Sequence, residues 1–337
     1  MSERRSDRPE SIGFVLVPGF TLLAFAAVVE TLRLANYVSG RELYRWLLLS
    51  GDGTPVLSSA GFLQPVDGAL ATAAAPATVI VCSGRDGHRF DDPKITAWLR
   101  RAAAQGAVVG SVCTGSHVLA RAGLLNGYRC TIHWENLAGF SETFPEIEAT
   151  GDLFTVDRNR FTCAGGTAGA DMMLQRIART HGDKLAIDVA EEMLHDTIRA
   201  GSDRQPRAKP AHSIERRELS AAIALMSAHI EEPLDLHSLA GRLGQSRRNI
   251  ERLFRSHLSV SPARYYLDMR LKRARQLLLQ TNMSVMEVAI SCGFVSATHF
   301  SKCYRDRYGV PPRRDQSSHR RGPLAVAALG ERLVSAD

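Results

Sequence analysis

The sequence predicts two folded units of different class: an α/β unit with a parallel sheet, followed by an all-α unit with two helix-turn-helix motifs. Its 337 residues suffice for about two domains of about 150 residues each. Three observations support this prediction. Short apolar runs alternate with helical patterns over the first 200 residues, a polar stretch at 201–213 lacks apolar periodicity, and the block that follows contains an internal repeat.

Four short and mostly apolar runs in the first unit are typical of buried strands, and they lie at 12–17, 46–49, 78–81 and 108–112. Patterns with helical spacing alternate with these runs and lie at 21–37, 93–105 and 115–123. Strands that alternate with helices favour a parallel sheet with helices on both faces, because each parallel strand needs a crossover connection to the next.

A cysteine stands at the end of the last of these strands. Cys113 is followed by Thr114, Gly115 and Ser116, small residues that open a helix. Such a strand-to-helix elbow places the side chain above the carboxyl edge of the sheet, where free N–H groups and the helix dipole favour a thiolate and could hold an oxyanion. A buried and inert cysteine is the alternative interpretation.

A polar stretch separates the two units. Residues 201–213 combine Gly, two Pro, Ser and charged side chains, which is typical of a linker. The charge balance changes at the same place: residues 1–211 hold 22 Lys and Arg against 23 Asp and Glu, and residues 212–316 hold 17 against 10. The net charge of +7 therefore belongs to the second unit, which indicates contact with a polyanion such as nucleic acid.

The basic block repeats itself at an offset of 49 to 50 residues. The first copy begins at Asp235 and turns at Gly244, and the second begins at Ser284 and turns at Gly293. Asp and Ser are preferred helix N-caps, and glycine adopts the positive φ of a tight turn at little cost. Each copy therefore predicts a helix, a turn and a second helix.

The second helix of each copy has a polar outward face that suits the major groove of DNA. This face holds Arg247, Arg248, Glu251, Arg252 and Arg255 in the first copy, and Ser296, Thr298, His299, Lys302 and Arg305 in the second. Arginine can donate two hydrogen bonds to guanine, and glutamate can accept one from cytosine. A long amphipathic helix at 267–278 would hold the two recognition helices about one DNA turn apart, roughly 34 Å. The alternative is a helical bundle with a basic solvated face.

Residues 212–316 resemble the DNA-binding domain of AraC-type transcription regulators. The resemblance rests on the second copy, from Ala289-Ile-Ser-Cys-Gly293 through Phe300-Ser-Lys-Cys-Tyr304 to Gly309-Val-Pro-Pro312. It implies that the residues that read bases are Arg248, Glu251, Arg252, Thr298 and Lys302. The chain departs from the family near its end, where Arg314, Asp315 and Gln316 stand instead of the usual Tyr-Arg after the proline.

The first unit resembles the DJ-1/PfpI branch of the class I glutamine amidotransferase-like fold. The motifs are Cys113-Thr-Gly115, Thr131-Ile-His133-Trp134 and Thr162-Cys163-Ala-Gly165-Gly166-Thr167. The resemblance implies a flavodoxin-like sandwich, and it places the acid of the family's enzymes at Ala24, which cannot accept a proton. We therefore expect no catalytic residue. Cys113 and His133 are then a vestigial elbow, and the ligand-binding candidates are Glu30, Cys113, Thr114, His133 and Asp171.

Other chemistry-bearing residues of the first unit have ordinary roles in this interpretation. We expect His117 to be a solvated helix histidine, and Met172, Met173 and Leu174 to be core residues. The six cysteines show no zinc-ligand spacing and indicate free thiols in a reducing compartment. No signal peptide or membrane span is recognised near the N-terminus. We therefore expect a cytoplasmic protein with no metal, no cofactor and no membrane contact.

These observations predict a one-component transcription regulator of the activator type with four segments. Residues 1–205 form a ligand-sensing DJ-1/PfpI-like domain, 206–213 a linker, 214–316 the DNA-binding domain and 317–337 a flexible tail. The predicted partners are double-stranded promoter or operator DNA, a second copy in a homodimer, and RNA polymerase. The resemblance implies a small effector of the amino acid or quaternary amine class.

Two alternatives remain. The chain could be a cysteine-dependent hydrolase or glyoxalase-like enzyme fused to a DNA-binding domain, which the alanine at position 24 disfavours. It could also be a constitutive DNA-binding protein whose first domain only dimerises.

Overall fold

A computed structural model describes residues 8–205 and 216–321 of the chain. The chain divides into two compact units, and the first ends at Gln205. The linker predicted at 206–213 lies outside the described residues, and so does the predicted tail beyond residue 321.

The strands of the first unit are β1 (Glu10–Leu16), β2 (Tyr44–Ser50), β3 (Val56–Leu57), β4 (Leu63–Gln64), β5 (Gly68–Ala69), β6 (Thr78–Cys82), β7 (Val108–Val112), β8 (Arg129–Thr131), β9 (Glu148–Thr150), β10 (Phe154–Asp157) and β11 (Arg160–Cys163). Seven of them form one sheet in the order β10-β11-β7-β6-β1-β2-β5. Its pairs are parallel except β10–β11. The parallel α/β class is confirmed, and the four predicted runs fall in β1, β2, β6 and β7. Strands β10 and β11 were missed because polar residues interrupt them.

Helices cover both faces of this sheet: α1 (Leu22–Ser39), α2 (Pro93–Ala104), α3 (Gly115–Arg121), α4 (Trp134–Thr143), α5 (Ala168–His181) and α6 (Asp183–Glu192). Successive residues of a strand point to opposite faces. Phe14 therefore packs in a core with α1, α5 and α6, whereas Val15 packs in a second core with α2, α3 and α4. Met172, Met173 and Leu174 are buried in the first core, as predicted.

Helix α1 is the one described helix with the length and hydropathy of a membrane span. Seven of its residues are buried within the first unit, among them Phe25, Val28 and Leu32. The apolar character of α1 is thus used to build the core of an α/β sandwich.

The second unit contains α7 (Arg216–Ala228), α8 (Leu236–Arg242), α9 (Arg247–Leu258), α10 (Pro262–Gln280), α11 (Val285–Ser291), α12 (Ala297–Tyr308) and α13 (Pro312–Arg321). The two predicted helix-turn-helix motifs are α8–α9 and α11–α12, and α10 is the long helix between them. Asp235 and Ser284 accept backbone N–H groups as N-caps, and Gly244 and Gly293 have φ of 64° and 72°. These local predictions are confirmed.

Helix α13 was not predicted, and it contains Arg314, Asp315 and Gln316, where the chain departs from the family pattern. The Tyr304 hydroxyl donates to Asp315 Oδ2 at 2.7 Å, and Gln316 Nε2 donates to the Met283 carbonyl at 2.8 Å. Asp315 and Gln316 thus attach α13 to the second motif. The helix ends at Arg321, beyond the boundary predicted at 316.

Candidate functional site

The backbone at Cys113 adopts the elbow that the sequence predicts. Cys113 lies between β7 and α3 with a φ of 59°, a left-handed conformation that costs a non-glycine residue about 1–3 kcal/mol. The Cys113 N–H donates to the Cys163 carbonyl at 3.0 Å, and the His133 N–H donates to the Cys113 carbonyl at 3.3 Å. Gly165 approaches so closely that a β-carbon there would lie 2.9 Å from Cys113 Cβ. Neighbouring backbone therefore holds the elbow in its strained form.

The thiol of Cys113 is buried, in surroundings that disfavour its thiolate. The residue is 7% exposed, and its Sγ lies 3.3 Å from Thr21 Oγ1. Burial raises the pKa of Cys113, and hydrogen bonds from the Thr21 hydroxyl and the Thr114 backbone offset this only in part. Of the two interpretations that the sequence leaves open, burial favours the inert thiol over the thiolate, because the cost of desolvating the charged sulfur exceeds the help from the helix N-terminus.

The position where the resemblance places an acid holds an apolar residue. Ala24 is buried on α1, one turn after Thr21. A hydroxyl, and not a carboxylate, therefore meets the thiol. Sequence reasoning missed Thr21, which lies 92 residues before Cys113 and carries no local signal of its role.

His133 lies at the start of α4 and is partly exposed. Its Nδ1 is 3.9 Å from Glu135 Oε2, and burial lowers the pKa of His133, which favours the neutral imidazole. Within residues 8–205, no hydrogen bond joins the side chains of Cys113 and His133. The structure therefore brings the two residues to one elbow through the backbone without pairing them as a nucleophile and base.

Thr114 connects the elbow to the segment that follows β6. Its buried hydroxyl contacts the Gly84 carbonyl and Ser83 Oγ, both in the segment after β6. The hydroxyl of Thr114 is buried and bonded to internal partners, so its role in the structure is to hold the elbow against the segment after β6.

Asp171, a predicted ligand residue, is fully occupied by the protein itself. Its carboxylate is 0% exposed. Oδ1 accepts from the Arg199 N–H at 2.8 Å and lies 2.8 Å from His195 Nε2, and Oδ2 accepts from Arg199 Nε at 2.9 Å and Nη2 at 2.5 Å. Two partners on each oxygen leave no acceptor site for a ligand. The ligand-binding prediction is therefore wrong for Asp171, which anchors the segment around Arg199.

Two further predictions about the first unit are corrected by the exposure of the side chains in the structure: Glu30 is half exposed and His117 is buried. Glu30 is half exposed on α1 and pairs with Arg33 at 2.8 Å, so its carboxylate lies on the surface with a partner on its own helix. His117 is 1% exposed, and its ring packs 5.1 Å from that of Phe140. Burial lowers the pKa of His117 well below its ordinary value. His117 is thus a core histidine of α3, covered by α4 and by the segment around His88.

We expect iodoacetamide to modify Cys113 slowly in the native chain. Because the pKa of Cys113 is raised, its thiolate stays scarce through the ordinary thiol range near about 8.5 and increases only at higher pH. Peptide mass spectrometry over a pH series measures this, with partly exposed Cys303 as the internal comparison. Faster labelling of Cys113 than of Cys303 at neutral pH would contradict the protonated, buried thiol.

The second unit presents the predicted DNA-binding side chains on two helices. On α9, Arg247, Arg248, Arg252 and Arg255 are exposed and Glu251 is partly buried; on α12, Ser296, Thr298, His299, Lys302 and Arg305 are exposed. Ile250, Leu253, Phe254, Phe300 and Tyr304 occupy the opposite faces and are buried. Both helices therefore carry an outward polar face on an apolar base. Val295, directly before the N-cap of α12, is fully exposed and was not among the residues predicted for this surface.

A hydrogen-bond network on α9 positions one of these arginines. Arg252 Nη2 donates to Asn249 Oδ1 at 2.9 Å, and Asn249 Nδ2 donates to Gln245 Oε1 at 2.6 Å. Gln245 Nε2 in turn donates to Glu218 Oε1 on α7 at 3.0 Å. No local pattern signals this network, because Glu218 and Gln245 lie 27 residues apart and meet only when α7 packs on α9.

Comparisons with known proteins agree with both halves of this description. Residues 12–179 match the DJ-1/PfpI family, and residues 239–317 match a helix-turn-helix domain. The chain is 49% identical over 329 residues to the HTH-type transcriptional regulator GbdR of Pseudomonas aeruginosa, covering 97% of this chain and 89% of that protein. It is 42% identical over 305 residues to the HTH-type transcriptional regulator CdhR of the same species, covering 90% of each.

A solved structure is similar as well. An AraC family transcriptional regulator from Pseudomonas putida matches with a TM-score of 0.51 and 32% identity, over 55% of this chain and 100% of that chain.

Proposed function

Because the chain belongs to the AraC-type helix-turn-helix transcriptional regulators that carry a DJ-1/PfpI domain, we propose that a small effector bound beside Cys113 controls how the second unit binds DNA. The regulator acts in the cytoplasm as a homodimer and activates transcription through RNA polymerase. The observation that carries a sensing role, and not an enzymatic one, is the burial of the Cys113 thiol against the Thr21 hydroxyl, with Ala24 where the resemblance places an acid.

The surroundings of His133 support an effector of the amino acid or quaternary amine class. Trp134 is 39% exposed, and its ring lies 5.7 Å from that of His133. Glu135 follows with a half-exposed carboxylate. An aromatic face next to a carboxylate attracts an alkylated ammonium group through cation–π and charge interactions. Thr21, Cys113 and His133 can then contact the remainder of the effector.

The segment at 195–205 connects this pocket to the end of the first unit. Arg199 Nη2 donates to Thr167 Oγ1 at 2.8 Å, two residues after Gly165, which packs against Cys113. At the other end of the segment, Gln205 Nε2 donates to the Ile132 carbonyl at 2.9 Å, one residue before His133. An effector that favours one arrangement of the elbow therefore biases the segment that leads into the second unit, which is a population shift.

A thermal-shift screen of the full chain with amino acids and methylated amines tests the sensing role. A ligand that binds only the folded protein at about 100 times its Kd stabilises it by about 2.7 kcal/mol, which raises the melting temperature. A hit that also changes binding to promoter DNA supports the proposal. If no compound moves either quantity, the result supports the alternative in which the first unit only dimerises the protein.

We expect Cys113→Ala to keep effector-dependent activation largely intact, because a protonated, buried thiol contributes packing and not reactivity. A reporter gene under the cognate promoter measures activation, with and without the compound found in the screen. Complete loss of the response in a folded Cys113→Ala chain would contradict the sensing role. Turnover of the compound that disappears in Cys113→Ala would instead favour the cysteine-dependent enzyme.

A further inference from the structure

One face of the long helix α10 holds both helix-turn-helix motifs. Tyr266 and Arg270 lie one helical turn apart on this face. The Tyr266 hydroxyl donates to the His229 carbonyl at 2.6 Å, in the segment that leads into the first motif. Arg270 donates from Nε to the Cys292 carbonyl at 2.7 Å and from Nη2 to the Gly293 carbonyl at 2.6 Å, in the turn of the second motif.

The contacts of Arg270 suit a rigid attachment. Cys292 is the C-cap of α11, so the guanidinium satisfies backbone carbonyls that the end of the helix leaves open. The guanidinium also lies 4.1 Å from the ring centre of Phe294, which directly follows the turn. Two parallel donors and a stacking contact fix both the distance and the orientation of the turn against α10.

The same turn packs directly on the segment before the first motif. Gly293 has a φ of 72°, and a β-carbon there would lie 2.6 Å from the Ile230 carbonyl oxygen and 2.6 Å from Pro233 Cδ. The matching glycine of the first motif, Gly244, has nothing within 4 Å of such a β-carbon. Of the two turns, the second is therefore the one that joins both motifs.

We propose that Arg270 is a positioning residue for DNA recognition, which holds the second motif against α10 and so sets the spacing between the DNA sites read by α9 and α12. The inference rests on the proposed reading of DNA by these two helices. We assign Arg270 no contact with a base, because its Nε and Nη2 donate to the turn of the second motif. Its loss lets α12 move relative to α9, so the chain tolerates altered spacing.

Binding to duplexes of altered spacing tests this role. The reference duplex is the sequence that the wild-type chain selects from a random pool, and its variants carry one base pair more or fewer between the two contacted boxes. For the wild type, we expect the altered spacing to weaken binding about tenfold or more. For Arg270→Met, we expect about tenfold weaker binding to the reference duplex and a spacing penalty of only about threefold.

Two variants separate positioning from stability. Arg270→Lys keeps the charge without the two-pronged donor, so its spacing penalty should fall between those of the wild type and Arg270→Met. Arg264→Met removes another arginine of α10, which is exposed and whose Nε lies 3.8 Å from Asp268 Oδ1 on the same helix. It should keep the wild-type spacing penalty even if it lowers the melting temperature.

An unchanged spacing penalty in Arg270→Met, or in Arg270→Lys if the Met variant fails to fold, would overturn the positioning role. Equal relaxation in Arg264→Met would overturn it too. A wild-type chain that selects no two-box sequence would instead refute the proposed reading of DNA by both helices, so the two failures are distinguishable.

Discussion

Replacing Asp171 by Ala is expected to lower the free energy of unfolding of the first unit by about 3 kcal/mol. The carboxylate is fully buried and accepts four contacts from His195 and Arg199, so its removal leaves a guanidinium without its counter-ion. Arg199 is one-third exposed, and water compensates in part, which places the loss at the low end for buried pairs. Urea unfolding followed by tryptophan fluorescence measures it, because Trp46, Trp98 and Trp134 all lie in the first unit.

Two substitutions calibrate this result. Asp171→Asn keeps the size and one acceptor oxygen, so we expect a smaller loss of about 1–2 kcal/mol. Glu30→Ala breaks a carboxylate–arginine pair that is half exposed on α1, and its effect should stay within about 0.5 kcal/mol. Equal losses for Asp171→Ala and Glu30→Ala would show that the buried network contributes nothing special to stability.

The same substitution separates sensing from DNA binding. Without Asp171, Arg199 no longer ties the segment at 195–205 to α5, while the helices of the second unit keep their own core. We therefore expect Asp171→Ala to retain affinity for promoter DNA and to lose most of its response to the effector. Loss of DNA affinity together with the response would place the defect in general folding and not in transmission.

Local chemistry explains why the second unit could be largely predicted. The N-caps at Asp235 and Ser284 and the turns at Gly244 and Gly293 each depend on residues three or four positions away. The internal repeat then supports each of these local predictions a second time, because the cap and the turn recur in both copies. The joint at Arg270 was out of reach of this reasoning, because its partners Cys292 and Gly293 are 22 and 23 residues distant.

The chemistry of the first unit depended on burial, which sequence patterns report poorly. The elbow at Cys113 was predictable from its strand and its small neighbours, but the protonation of its thiol follows from desolvation and from Thr21 across the fold. His117 was assigned to solvent because polar residues on short helices usually face water, yet Phe140 covers it. Asp171 is predicted to bind a ligand because no nearby residue indicates its partner: the arginine that binds its carboxylate, Arg199, lies 28 residues downstream.

On the DNA side, Arg252→Ala is expected to weaken specific binding by about 1–3 kcal/mol and to relax specificity at one base position. Arg252 is exposed on α9, and Asn249 holds its guanidinium at 2.9 Å, so the side chain loses little rotamer freedom when it meets a base. Competition binding against duplexes with single base changes measures both effects. An unchanged footprint and unchanged base preference would remove Arg252 from the residues that read sequence.

Arg255→Ala is the matched comparison, because Arg255 lies on the same helix, near its end, and is exposed without the Asn249 contact. If Arg255 contacts phosphate, its loss should weaken binding to all duplexes equally and reduce the salt dependence of binding by about one ion. Arg252→Ala should instead weaken binding to the cognate duplex more than binding to non-cognate duplexes. The contrast follows from geometry: a preorganised guanidinium discriminates between bases, whereas a free one near the backbone adds affinity alone.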